Sequence, residues 1–169
     1  NMFYDGENGK TIAFDNTDCL TIDGQRLILL EGDNLAEGAI YGTEFENYSR
    51  VKVLKNSGTR LGDPNNHNFI YFELTTKDGT IIEFGSSPDS RLTSANKLPN
   101  SENALSWKIN RIYDVFRNCM EIKYANNGQY ISEILYVGAS RQMKNKISFN
   151  YYNNSTTKYK IPIKKSCIN

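Results

Sequence analysis

The chain has 169 residues, twenty of them basic and nineteen acidic, for a formal net charge of +1. That length suits one domain, residues 1–169, with enough chain to bury a real core, and the near balance of charge gives no field to draw in nucleic acid or an anionic membrane. Apolar runs such as Leu27–Leu30 are far too short to cross a bilayer, so no membrane span is expected.

No basic start followed by an apolar stretch opens the chain, so any secretion signal lies outside it or has been removed. Asn1-Met2 reads as the junction of a domain cut from something longer. DGENGK (Asp5–Lys10) and DNTD (Asp15–Asp18) look like fragments of a calcium loop, but neither completes the alternating acids, central glycine and closing glutamate of an EF-hand. Asp and Asn side chains folding onto their own backbone account for both, and no metal is assigned. Asp23-Gly24 then separates LTI from QRLILL, a dipeptide that supplies the positive φ angles of a tight primed hairpin turn. A short helix fits near Asn34–Gly38 or Ser101–Leu105, and no long amphipathic helix is visible.

Glu44-Phe45-Glu46 matches the ExE signature of ADP-ribosyltransferases, in which one glutamate positions the nicotinamide ribose and the other helps to activate the acceptor. No STS-type strand precedes it here. The alternative is a strand whose two glutamates face solvent while Phe45 points into the core. Asn56–Asn68 is polar throughout and reads as a surface loop. It carries His67, the only histidine, which as a solvated residue offers no general acid–base partner.

Strict alternation returns in Phe69–Thr75, where Ile70, Phe72 and Leu74 share one face. Asp78-Gly79 is the next primed-turn candidate and Thr80–Phe84 the returning strand. Gly85–Arg91 is then a loop holding Ser86, Ser87 and Ser90. With no histidine nearby and no GxSxG elbow, these serines, Asp89 and Arg91 read as architecture rather than a catalytic loop. Lys97–Asn103 is a second polar loop. Trp107–Tyr113 and Cys119–Tyr124 alternate again around a longer turn at Asp114–Asn118, and Asn127-Gly128 leads to QYISEILYV and Ile147–Tyr151.

These elements predict an all-β fold of antiparallel hairpins, with a meander from Trp107 to Tyr152 and a core containing Ile70, Phe72, Leu74, Trp107, Ile109, Met120 and Ile122. The tail, residues 153–169, is polar and then basic, and its lysines beside Ile161 and Ile163 mark an edge strand rather than a nucleic-acid patch. Cys19, Cys119 and Cys167 are far apart and form no CxxC pair, so they suggest partly buried thiols, or one disulfide in an exported protein, rather than zinc. Tyr113, Phe116, Tyr124, Tyr130, Tyr136, Phe149, Tyr151 and Tyr152 are dense enough for a sugar-stacking face. Cross-strand packing needs no ligand to explain them.

Four segments in order carry a resemblance: LTIDGQRLILLEG (Leu20–Gly32), YGTEFENYSRV (Tyr41–Val51), FELTTKDGTIIEFGSSPDSRL (Phe72–Leu92) and ALSWKINRIYDVFRNCMEIKYANNGQYISEILYVG (Ala104–Gly138). The chain resembles the N-terminal SpvB-type region shared by SpvB-like virulence proteins and the B components of insecticidal Tc toxin complexes. The likeness covers residues 18–152, about four-fifths of the chain. Recurring elements of that family are DGQRL, a YxTE stretch closing in SR, TKDG followed by an aromatic-Gly pair and DSR, and a tryptophan-led strand ending in GN. Arg117 stands where the family has that glycine, the loops Asn56–Asn68 and Ala95–Asn103 differ, and the family region is usually longer.

The resemblance implies a β-rich, non-catalytic structural region at the front of a large bacterial protein that is secreted or delivered at the cell surface. In Tc toxins the region helps to build a hollow shell around a toxic C-terminal payload, and the transferase activity of SpvB resides in a separate C-terminal domain. Its implied partners are flanking propeller or RHS/YD-repeat segments of the same parent chain and other toxin-complex components. It supplies no catalytic residue, cofactor or metal ligand. The alternative is a module that binds glycan or protein through exposed aromatics.

Overall fold

The computed structural model describes residues 2–3, 18–56, 69–93, 104–126, 128–137, 143–152 and 163–167. Fourteen strands are formed in these: β1 (Met2–Phe3), β2 (Cys19–Ile22), β3 (Gln25–Glu31), β4 (Ile40–Thr43), β5 (Arg50–Asn56), β6 (Phe69–Thr75), β7 (Ile81–Phe84), β8 (Arg91–Thr93), β9 (Ala104–Trp107), β10 (Ile109–Tyr113), β11 (Cys119–Ala125), β12 (Tyr130–Val137), β13 (Met143–Phe149) and β14 (Ile163–Cys167). All pair antiparallel with a neighbour in sequence, except that β7 pairs with β10 across an excursion that holds the β8–β9 hairpin. β3 to β7 and β10 to β14 make one ten-strand ladder, which β2 and then β1 extend beyond β3. The expected all-β antiparallel fold is observed, with β14 as the edge strand foreseen in the basic tail.

Period-2 alternation divides the sheet into a wet and a dry face. On the dry face Val53, Phe72 and Phe84 lie opposite one another on β5, β6 and β7. The adjacent register sets Lys52, Glu73, Glu83, Arg111 and Glu121 in a row on the other face. Leu20, Leu27, Tyr41, Val51, Val53, Phe72, Ala104 and Trp107 form the core. Of the predicted core, Phe72 and Trp107 are buried and Ile70 and Leu74 pack at its margin. Ile109 and Ile122 are half-buried, and Met120, near the start of β11 opposite Ile112 and Tyr136, is 38 % exposed rather than in the core.

Turn chemistry differs in detail from the expectation of three primed turns. Asp23 (φ 47°) and Gly24 (φ 77°) are both left-handed, as a two-residue primed turn requires. At the β6–β7 turn only Gly79 is left-handed (φ 84°). Thr76 N donates to Thr80 O at 2.9 Å and Gly79 N to Thr76 O at 3.0 Å, the pattern of a three-residue loop with a glycine bulge. The β11–β12 turn is longer, with Gln129 N donating to Ala125 O (3.1 Å) and left-handed residues at Asn126 and Gly128; Asn127 lies outside the described residues.

Two further corrections concern irregular segments. Residues 34–38 form successive turns with Leu35 left-handed (φ 61°), which a helix cannot contain. Tyr41, buried in the core, pins this loop by accepting from Leu35 N at 2.7 Å and donating to Asn34 Oδ1 at 2.8 Å. In the other proposed helix, residues 101–103 lie outside the described set, and Ala104 and Leu105 belong to β9. Trp107–Tyr113 is also not one strand. It breaks at Lys108, whose N donates to Ser90 O (2.8 Å) while its O accepts from Gly85 N (2.9 Å), so β9 pairs with β8 before β10 joins the main sheet.

Candidate functional site

The serine-rich stretch forms a junction rather than an open loop. Pro88–Ser90 makes a single 3-10 turn, and Ser87 Oγ donates to Ser90 Oγ (3.0 Å), which donates to Ser87 O (2.8 Å). Asn110, 2 % exposed, accepts from Ser86 N (3.1 Å) and donates through Nδ2 to Ser86 Oγ (2.5 Å). Asp89 Oδ2 accepts from Tyr124 N at 2.8 Å, tying the turn to β11. The Arg91 guanidinium lies 3.5 Å from the centre of the Phe69 ring, and burial lowers its pKa to about 10. Gly85 is left-handed with the indole of Trp107 against its Cα, and that indole meets Phe72 edge-on at 4.8 Å. Residues that the sequence pattern flagged as a unit therefore meet in one packing centre.

Beside this centre lies a cleft of about 440 Å³. Leu20 and Ile22 of β2 line one side, Ile122 of β11 and Ile131 of β12 another, with Phe72 and Phe84 among the remaining lining residues. β2 and β12 are eight steps apart in the sheet, roughly 38 Å if it were flat at ~4.8 Å per strand. A space of this size touches both only because the sheet coils strongly on itself. Lys108 and Trp107 line it too. The Lys108 ammonium donates to Gly128 O and sits 5.3 Å from the Tyr124 ring centre. Sequence reading did not single out Lys108, which sits between Trp107 and Ile109 as an ordinary polar member of an alternating strand.

Glu44-Phe45-Glu46 requires a correction. The segment follows the end of β4 as a bend, and Phe45 is 72 % exposed rather than in the core. Thr43 Oγ1 donates to Phe45 O (2.7 Å), and Asn47 Oδ1 accepts from Ser49 N (2.9 Å), so turn-forming side chains end the strand early. Glu46 accepts from Arg50 (3.0 Å) and from Tyr48 N, bonds that hold its pKa below the ordinary glutamate value. Glu44 N donates to Arg26 O.

The other candidates do not converge. Of the two calcium-like fragments only Asp18 is described; it is buried, and its carbonyl accepts from Asn34 Nδ2. Among the described residues no three His, Cys, Asp or Glu side chains come together as metal ligands. His67 lies outside the described residues, as does the Cys167 side chain, while Cys19 and Cys119 carry free thiols. The aromatics separate. Tyr130 and Tyr151 pack at 5.1 Å at one end of the sheet, and Tyr113, Tyr124, Tyr136 and Phe149 are half-buried. At the opposite end Phe116 (76 % exposed) and Val115 sit in the β10–β11 turn, and Phe45 and Tyr48 in the β4–β5 turn. Lys77 Nζ, in the intervening β6–β7 turn, lies 5.0 Å from the Tyr48 ring centre.

These features define the class: a coiled antiparallel β meander with a folded-in hairpin, an internal polar junction and an apolar cleft. Solved structures share this fold. The N-terminal domain of effector protein SpvB from Salmonella typhimurium strain LT2 superposes with a TM-score of 0.59 at 13 % identity, over 92 % of this chain and 62 % of that one. TcdB2-TccC3-TEV superposes with a TM-score of 0.61 at 13 % identity, over 92 % of this chain and 9 % of that one. TcdB2-TccC3 without its hypervariable C-terminal region gives 0.59 at 14 % identity. The chain thus spans under two thirds of the first of these and a small part of the others. No protein-family model matches the chain, and no curated protein matches it in sequence. Among the described residues no helix is long and apolar enough to cross a membrane.

Proposed function

We propose that the chain is a non-catalytic structural domain of a large bacterial protein of the SpvB, Tc and RHS kind, secreted or delivered at the cell surface. There it helps to build a β-rich shell or scaffold for a toxin payload, against flanking propeller or RHS/YD-repeat segments of the same parent chain. One observation carries this reading. Asp89, Ser90 and Asn110, drawn from the segments that carry the family resemblance, spend their hydrogen bonds on neighbouring backbone and side chains, while Gly85 packs on Trp107 and Arg91 on Phe69, with Arg91 Nε and Trp107 Nε1 buried without a hydrogen-bond partner among the described residues. The shared fold with domains of longer toxin chains supports it.

Sequencing the gene on both sides tests the context. RHS or YD repeats downstream are expected, and a stop codon directly after Asn169 with no upstream toxin-like region would remove the shell reading. Deleting residues 18–152 from the parent should expose its C-terminal segment to protease, whereas undiminished protection would refute a shell role. A second reading, a module binding glycan or protein, draws on the exposed Phe45, Tyr48, Val115 and Phe116 at neighbouring turn tips. Loss of partner capture in Phe116→Ser with shell protection intact would favour it.

A further inference from the structure

We propose that the cleft between β2, β9 and β11 binds an anionic amphiphile, a carboxylate on an apolar tail, with Lys108 receiving the head group. Its volume of about 440 Å³ falls within the ~300–1,000 Å³ of small-molecule clefts. The walls supply what a tail needs: Leu20, Ile22, Phe72, Phe84 and Ile122 are apolar and come from strands whose positions the sheet fixes.

The charge at the cleft selects the head group. Lys108 is half-buried in its lining, and among the described residues no carboxylate lies within ion-pair distance of it. Its compensation is the Gly128 carbonyl and the face of Tyr124. An ammonium has three donors, so two remain for an anion. Partial burial of an unpaired cation is costly, and an incoming carboxylate relieves that cost. Asp23, also in the lining, is exposed on the β2–β3 turn.

Trp107 is the only tryptophan and lines the cleft, so its fluorescence reports occupancy directly. The full 169-residue chain would be titrated with dodecanoate, dodecanol and dodecyltrimethylammonium, each below its micellar concentration, in the wild type and in Lys108→Met. Saturable change with dodecanoate, at least tenfold weaker binding of the other two, and a tenfold or greater loss in Lys108→Met are expected. If Lys108→Met fails to fold, the comparison of the three amphiphiles on the wild type still decides. Absence of a saturable response overturns the proposal, as does equal binding of all three. A chain that sediments as a dimer and ignores dodecanoate would assign the cleft to a second copy, and likewise overturn it.

Discussion

Gly85 carries the sharpest stability prediction, because two separate physical costs meet at one atom. A Cβ built there would lie 2.3 Å from Trp107 Cδ1, 3.0 Å from Cγ and 3.1 Å from Cβ, and the residue sits at φ +76°. The indole cannot simply swing away, since Trp107 is 6 % exposed and already packs edge-on against Phe72. An alanine in the left-handed region costs about 1–2 kcal/mol, and forcing a methyl into a filled core adds about 1–3 kcal/mol. Gly85→Ala should therefore destabilise the domain by roughly 2–5 kcal/mol. Gly24→Ala is the matched control, with nearly the same backbone (φ +77°) and nothing within 4 Å of its Cβ. It should lose only the backbone part, about 1–2 kcal/mol. Urea unfolding followed by Trp107 fluorescence measures both. In a cycle with Trp107→Leu, followed by circular dichroism, the Gly85 penalty should shrink by more than about 1 kcal/mol. Equal costs at the two glycines, within about 0.5 kcal/mol, would mean that Trp107 does not rest on Gly85.

Phe45→Ala should change stability by less than about 0.5 kcal/mol in the same urea assay, as exposed sites do, whereas a loss of about 3–5 kcal/mol would restore the buried-strand expectation. Arg117 adopts φ 65° at the position a glycine would favour, so Arg117→Gly should raise the melting temperature, by up to about 1 kcal/mol of stability, and a fall would refute the strain. Asp89→Ala leaves Tyr124 N without its acceptor and should cost about 1–3 kcal/mol, while Asp89→Asn, which retains an acceptor, should cost less. The hydrogen bond from Asn118 holds the Asp114 carboxyl below its ordinary pKa, so its contribution is fully present above the unfolded value of about 3.9 and is lost as the pH falls through the folded value. A carbon-detected NMR titration of Asp114 with a midpoint at or above about 3.9 would contradict this.

What was legible in the sequence was local. Alternation in Phe69–Thr75 fixed the faces of β6 because each residue's direction depends only on its neighbours in the pleat. Asp23-Gly24 was readable for the same reason, since a two-residue turn contains all its own chemistry. Phe45 misled because Glu-Phe-Glu alternates like a strand, while the residues that stop β4, Thr43 and Asn47, act through side-chain bonds that periodicity does not register. The turn at Arg117, where the resembling family has a glycine, has the same loop geometry as the turn at Gly79, with Asp114 N donating to Asn118 O and Arg117 N to Asp114 O. Here the Asp114 carboxylate accepts from Phe116 N, Asn118 N and Asn118 Nδ2, holding a left-handed residue that is not glycine.

The cleft was illegible for a different reason. Leu20 and Ile131 are joined by no motif or periodicity, and they line one space only because small twists accumulate over eight strand pairings. Lys108 makes the same point at a single residue. Read locally, it is the polar member of an alternating strand, which belongs on the wet face. In the fold, the chain crosses from the β8–β9 hairpin into the main sheet at this residue, with its N–H bound to Ser90 O and its carbonyl to Gly85 N. That crossing breaks the alternation and turns the lysine toward the dry side, beside Trp107 and Tyr124. A charge reaches an apolar cleft here through strand connectivity, and the same connection seats Trp107 on Gly85. The stability of the junction and the chemistry of the cleft therefore depend on one crossing, and Gly85→Ala should weaken dodecanoate binding even where the variant remains folded.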